Sequence, residues 1–324
     1  MSRAPRVVIG LSAVIVAVTE DAPFVVVTRD GALPFGPFDP AGDRTLELSL
    51  RGWVSEQTGF DIGYVEQLYT FGDRGREAPL ADIKGASPDR VISISYLALT
   101  PSRAVLNRAG ARWRSWYDFF PWEDWRDSRP FVIDENIAPK LKAWAQSAAG
   151  EVAAQRRARA RLAFALDGAV WNEERALERY ELLYEASLAP EAARDRARFE
   201  GRSAPAISAA PGLGEPMASD HRRILATAIG RLRAKIKYRP VVFELAPDRF
   251  TLLCLQRVVE AIAGLELHKQ NFRRLLDRTG LVEGTGEMDA SAGGRPAELF
   301  RKREALSERP IGGVHVPAPP RETT

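Results

Sequence analysis

The chain has 324 residues, 45% of them hydrophobic and 27% charged, with a formal net charge of only +3. That length suits about two soluble domains, and so small a net charge excludes polyanion binding through a global field, so any nucleic-acid footprint must be local. One cysteine and three histidines exclude an internal disulfide framework and offer no spacing suited to a zinc site or a Ser-His-Asp arrangement.

The first segment, MSRAPRVVIGLSAVIVAV, has the arginine-bearing start and short apolar run of a secretion signal. Its β-branched run is followed by Glu20, Asp21, an Ala-Pro turn and FVVVTR, which reads more simply as a hairpin of two buried strands. No segment is long and apolar enough to span a bilayer, so a cytoplasmic protein without a membrane partner is expected. A Gly- and Pro-rich turn leads into a helix ending at Glu56, Gln57, Thr58, Gly59 and Phe60, and strands are predicted around Tyr64 to Phe71 and Val91 to Leu99.

The aromatic run WRSWYDFFPWEDW follows, and six of the seven tryptophans lie between Trp113 and Trp171. Such a cluster fits the core of a small helical subdomain better than a cofactor box, and it could equally cover a pocket or extend an interface. Ala- and Arg-rich sequence from Ile137 to Ala165, then NEERALERYELLYEASL with Leu177, Tyr180, Leu183, Tyr184 and Leu188 on one side, predicts two or three helices before the linker of Ser203 to Ala218. The run Arg156, Arg157, Arg159 and Arg161 reads as a solvated helix face.

From His221 to Arg239 the chain carries Arg222, Arg223, Arg231, Arg233, Lys235, Lys237 and Arg239 with no acidic residue, beside an apolar stripe of Ile224, Leu225, Ala228, Ile229, Leu232 and Ile236. This amphipathic basic helix reads first as the end of a domain with its basic face in solvent. DNA phosphates and an anionic membrane are the alternative partners.

The stretch from Asp248 to Arg303 predicts two short helices and a hairpin, the outline of a winged helix-turn-helix. Thr251 suits an N-cap, Leu252, Leu255, Val259 and Ile262 share a face, and Gly264 ends the first helix. Cys254 falls within that apolar pattern and is expected to be buried and reduced. In the second helix Phe272, Leu275 and Leu276 turn inward, leaving Lys269, Gln270, Arg273 and Arg274 outward. Arg pairs with guanine edges or phosphates, Gln and Asn with adenine, and Lys with phosphate. Leu281 and Val282 begin a strand, Gly284 to Gly294 form a loop, Leu299 and Phe300 lie on the return strand, and Arg295 sits at the wing. A helical hairpin with a merely solvated basic face fits the same pattern.

The order of hairpin, turn, helix and later strands resembles a Nudix domain, whose helix carries the pattern Arg-Glu-hydrophobic-x-Glu-Glu-x-Gly-hydrophobic. Aligned on Gly59 and Phe60, these positions read Gly52, Trp53, Val54, Ser55, Glu56, Gln57 and Thr58, so only Glu56 remains of the carboxylates that would hold a hard divalent cation. With DHRRILATAIGRLRAKIKYRP, FTLLCLQRVVEAI, KQNFRRLL and GRPAELFR added in order, residues 1 to 126 and 220 to 303 resemble the NrtR family, Nudix-related transcriptional regulators of NAD metabolism.

The resemblance implies an α+β fold: an α/β/α Nudix-like sandwich with an inserted helical segment and a C-terminal winged helix-turn-helix. The expected units are an effector-sensing domain at 1–126, an insertion and linker at 127–219, a closing basic helix at 220–239, a DNA-binding domain at 240–316 and a disordered tail at 317–324. It further implies a homodimeric repressor of NAD synthesis or salvage genes that binds a double-stranded operator and responds to ADP-ribose or a related nucleotide. No cofactor, metal or catalytic residue is expected. Candidate effector contacts are Arg29, Arg51, Glu56, Gln57, Phe71 and Tyr96, with Phe71 and Tyr96 fitting a core role as well. Candidate DNA contacts are Lys269, Gln270, Asn271, Arg273, Arg274 and Arg295. The rival from another class is a Nudix hydrolase using Glu56 with Glu47, Asp39 or Asp43, and a third reading is a protein-interaction module built on the basic helix and the insertion.

Overall fold

The strand β1 (Val7–Thr19) is apolar almost throughout because both of its faces are covered. Leu11, Ala13 and Ile15 point to one side and Val14, Val16 and Val18 to the other, into two separate clusters. This is a computed structural model describing residues 7–76, 90–290 and 296–303. Along one edge β1 runs parallel to β5 (Arg90–Thr100), and Ser12 and Ser95 satisfy each other across that pair at 2.7 Å. Along the other edge it pairs with β3 (Phe35–Pro37) near its start and with β2 (Ala22–Val27) near its end. With β4 (Tyr64–Phe71) and β6 (Arg112–Ser115) the sheet has six strands, ordered β4-β5-β1-β2-β6 with β3 beside β1.

The turn between β1 and β2 is Glu20 and Asp21, not the expected Ala-Pro, since Thr19 already faces Ala22 in the ladder. Both turn residues have positive φ, 52° and 58°, as a two-residue turn matched to strand twist requires. Helix α1 (Leu46–Thr58) covers one face of the sheet. Thr45 caps its first turn, and Gly59, at φ 70°, ends it in the left-handed conformation.

Helices from the rest of the chain build the other side of the molecule. They are α2 (Trp116–Phe119), α3 (Ala138–Gln146), α4 (Gly150–Ala163), α5 (Ala176–Glu185), α6 (Pro190–Phe199), α7 (His221–Lys235), α8 (Leu252–Ala263) and α9 (Lys269–Thr279). Of these, α2, α7 and α8 pack directly on the second face of the sheet. The tryptophans do not build a core of their own. Trp116, Trp122 and Trp171 lie in one continuous buried cluster with Leu97 and Leu99 of the sheet, Ile229 of α7 and Val259 of α8. The expectation of a solvated basic face on α7 also fails, because Arg222 and Arg233 are fully buried. Each has a carboxylate and backbone carbonyls around it, the only setting in which a charge leaves water at tolerable cost. Lys235 and Lys237 reach Glu66, Glu173 and Glu174, which leaves Arg231 and Arg239 as the exposed cations of this segment. Cys254 is half-buried, and burial, helped by Asp21, pushes its thiol up. Among the described residues no helix is long and apolar enough to cross a membrane.

Two adjacent buried residues, Asp220 and His221, stand at the start of α7. His221 Nδ1 accepts the Leu33 amide proton at 2.9 Å, and burial, with Arg194 nearby, lowers its imidazole to about 3. Burial raises the Asp220 carboxyl to about 7, against Arg76 and Arg223 and with help from Glu181 and Asp195. Their linkages oppose one another. Neutral His221 contributes stability that is full above its unfolded value of 6.5 and is lost as pH falls towards 3. Folded Asp220 instead takes up a proton as pH falls from about 7 to the unfolded 3.8, which adds stability. Relative to the unaltered chain, Asp220→Asn should therefore lose up to ~1.4 kcal/mol of stability per pH unit between about pH 7 and 4, measured by urea titrations across that range.

Candidate functional site

The winged helix is built by α8, α9 and a hairpin of β7 (Val282–Asp289) and β8 (Ala297–Lys302). The Thr251 hydroxyl accepts from the Cys254 amide, and Gly264 (φ 69°) and Gly280 (φ 60°) end the two helices. A polar clamp absent from the sequence reading fixes the turn between them. The buried Glu260 carboxylate accepts from Leu267 N at 2.9 Å and from Gln256 Nε2 at 2.8 Å, and Gln256 also donates to Leu267 O. The signal for it was the i, i+4 pair of polar residues within an otherwise apolar stripe.

On α9, Phe272 and Leu276 are buried, whereas Lys269, Gln270, Asn271, Arg273 and Arg274 are all exposed. None of these five makes an ion pair or side-chain hydrogen bond among the described residues. Strand β7 continues to Asp289, past the expected loop start at Gly284, because a bulge with Gly286 at φ 75° lets the ladder resume at Met288. Arg295 lies outside the described residues.

Around α1 the sequence-predicted effector residues separate into three groups. Gln57 holds β3, with its Oε1 accepting from Phe35 N at 3.2 Å and its Nε2 donating to Phe35 O at 2.5 Å. Trp53 Nε1 donates to Pro37 O at 3.0 Å, and its ring lies on Gly36 so closely that no side chain fits there. Arg51 pairs with Glu47 and donates to the carbonyls of Ile62 and Gly63. Tyr96 packs with Leu50 and Val54 beneath α1, whereas Phe71 lies on the opposite face of the sheet, where the Arg223 guanidinium stands 5.3 Å from its ring. Phe71 and Tyr96 therefore cannot share one pocket. Phe71 faces Ser93 in the ladder, three residues from Tyr96, and an odd separation along a strand reverses the face.

The third group gathers at the C-terminal end of α1, where the loop 107–111 turns back. Arg108, which the sequence reading did not single out, donates to Glu56 O at 3.0 Å, and Asn107 N donates to Thr58 O at 3.0 Å. Arg29 lies along Gly110, where a Cβ would come within 2.8 Å of its Cγ. Arg29, Glu56 and Arg108 are exposed there. Among the described residues, no three carboxylate, His or Cys side chains stand together as metal ligands.

The winged helix is joined to the sheet at the end of α8. Tyr117 Oη donates to Ala261 O at 2.8 Å, Arg233 Nε to Ile262 O at 2.9 Å and Trp125 N to Gly264 O at 2.8 Å. These carbonyls have no acceptor role within the helix, and a cation among their donors suits the helix dipole. Behind them the Glu123 carboxylate lies between Arg179 of α5 (2.5 and 2.8 Å) and Arg233 of α7, all three wholly buried. Burial alone would raise the Glu123 carboxyl, but the two guanidiniums hold it below the usual range.

This is the architecture of a Nudix-type sheet carrying a winged helix. Residues 242–301 match the family described as the NrtR DNA-binding winged helix domain. An 85-residue stretch is 41% identical to the ADPR responsive transcriptional repressor NtrR of Acinetobacter baylyi, covering 26% of this chain and 34% of that protein, so the match spans about a third of the relative's length. The fold of the chain is that of Shewanella oneidensis NrtR, seen in a crystal structure complexed with a 27mer DNA, at 18% identity over 95% of this chain and 99% of that one, TM-score 0.54. A MutT/nudix family protein from Enterococcus faecalis shares it at 15% identity over 93% and 89% of the two chains, TM-score 0.50.

The Gln57 amide can be tested directly. Gln57→Glu should destabilise the chain by about 1–3 kcal/mol, because the new carboxylate loses the donor to Phe35 O and faces that carbonyl. The deficit should shrink below about pH 4, where the introduced carboxyl is protonated. Urea denaturation at neutral and acid pH measures both.

Proposed function

We propose that the chain is a DNA-binding repressor of NAD synthesis or salvage genes that responds to ADP-ribose or a related nucleotide. The observation that carries this reading is the outer face of α9, where five hydrogen-bonding side chains stand in solvent with no side-chain partner among the described residues. Elsewhere the arginines are largely engaged: Arg76, Arg114, Arg179, Arg194, Arg222, Arg223 and Arg233 all have carboxylate partners. A helix of this kind, seated on a buried Phe272 and Leu276, can enter a major groove with Arg273 and Arg274 on base edges or phosphates and Gln270 and Asn271 on adenine. Lys269 completes the phosphate contacts, and Arg295 of the wing is assigned to a phosphate or an adjacent minor groove. A homodimer would place two such helices on two half-sites.

For the effector we propose the end of α1 and the loop 107–111. Arg29 and Arg108 supply cations for a diphosphate and Glu56 stands beside Arg108, while Arg51, held by Glu47, and Tyr96, packed beneath α1, complete the candidate set. Gln57 serves by holding β3. Hydrolysis is not part of this reading, because the carboxylates it would recruit have local roles: Asp43 accepts from Asp39 N and Ser49 Oγ, Asp39 from Ala41 N, and Glu47 from Arg51. The relative named above as ADPR responsive supports the choice of nucleotide.

The DNA assignment predicts that Arg273→Ala and Arg274→Ala together weaken operator binding at least tenfold and lower its salt slope by about 1 to 2, read from mobility-shift titrations on DNA selected by the purified protein. Unchanged affinity and slope would refute it. The effector assignment predicts that calorimetry detects ADP-ribose binding and that Arg29→Ala or Arg108→Ala weakens it about tenfold each, the loss of one charge-assisted contact. No heat with ADP-ribose or NAD would sink it.

A further inference from the structure

We propose that the inserted helices fix the stance of the winged helix on the sheet, with Arg179 as the positioning residue that acts through Glu123 and Arg233. In its meaning as signal transmission this rests on the function proposed above, but the mechanical joint does not. Arg179 is on α5, within the insertion, and is wholly buried. Its Nε and Nη2 grip both oxygens of Glu123, and its remaining donors reach Ala163 O (3.1 Å), Asn172 O (2.9 Å) and Glu173 O (3.2 Å). The Trp171 ring, 3.8 Å from the guanidinium, closes the remaining side. Every donor direction of the fork is thus set by the insertion or by Glu123.

The other end of the joint is the reader. Glu123 also binds Arg233, whose Nε holds Ile262 O while its Nη1 reaches back to Glu173 O at 2.9 Å. The Glu123 carbonyl accepts from Arg233 Nη2 at 3.2 Å and lies so near Gly264 that only glycine fits there. A shift of α5 must move Glu123, and Glu123 cannot move without disturbing the carbonyls that end α8. No water-exposed group intervenes, so the coupling is stiff and directional. With Arg179 shortened, Arg233 still ties Glu123 to α8 and still donates to Glu173 O, but the forked link from α5 to the carboxylate is lost.

The test uses the full chain in a Cys254→Ser background, with spin labels at the exposed positions Gln67→Cys on β4 and Asp277→Cys on α9, and pulsed dipolar distances between them. The parent should give one narrow distribution. Arg179→Lys, which keeps the charge but loses the fork, should at least double its width, and Glu123→Asp, one methylene short, should do the same. The exposed Arg231→Lys should change nothing. Lower thermal stability with an unchanged distance distribution would show a merely structural role and overturn the proposal.

Native-state hydrogen exchange on the unaltered chain gives an arm that needs no variant. Amides of α5 and of residues 258–264 should open together, and opening of the end of α8 while α5 stays protected would overturn it. In operator titrations, Arg179→Lys should keep nucleotide affinity within about threefold while losing most of the ADP-ribose effect on DNA binding. If the parent shows no ADP-ribose effect, the proposed function fails while the distance and exchange results still judge the joint.

Discussion

One buried carboxylate between two buried guanidiniums organises this molecule. Glu123, Arg179 and Arg233 come from a turn after α2, from α5 and from α7, three places far apart in the chain. Taking three charges out of water is costly, and a set of apolar side chains would often fill such a space at no loss of stability. Apolar residues, however, would not dictate direction. The forked guanidiniums accept one arrangement of Glu123 and of the surrounding carbonyls, and removing either partner would leave a buried charge uncompensated, at ~3–5 kcal/mol. The joint thus trades desolvation for a single defined stance of the winged helix on the sheet.

The same principle recurs at smaller scale across the chain. Arg222 is buried with Glu191 and the carbonyls of Phe119 and Leu213, and Arg194 with Asp195 and the carbonyls of Met217 and Ser219. These arginines knit the linker after α6 to the aromatic segment and to α7. Against that background the outer face of α9 differs, with five adjacent polar and cationic groups that have no side-chain partner among the described residues. Groups committed internally confer shape, whereas groups left free are available for a partner. The contrast separates the structural arginines from the candidate contacts more sharply than their number does.

Much of the architecture was legible because local signals agreed. The β-branched run from Val7, the caps at Thr251, Gly264 and Gly280, and the inward Phe272 and Leu276 all predict elements that the structure contains. Less was legible around α1. Gln57 reads along the sequence as a degraded metal position, but in three dimensions it is a backbone clamp on β3. Phe71 and Tyr96 read as candidate contacts to one effector, yet strand parity puts them on opposite faces. Arg108 gave no signal at all, because a loop arginine has no period and acquires meaning only where the loop returns to Glu56.

Periodicity, capping residues and motif order were enough to outline most of the elements, the two helices and hairpin at 248–303 and the outward residues of α9, since those depend on interactions within a few residues along the chain. The fate of the charges was settled only by packing. A segment with seven cations and no acids looks like a wet surface in one dimension, and Arg222 and Arg233 became interior residues because Glu191 and Glu123 arrive from sequence positions 31 and 110 residues away. Whether a charge is solvated or buried depends on partners that no local pattern announces.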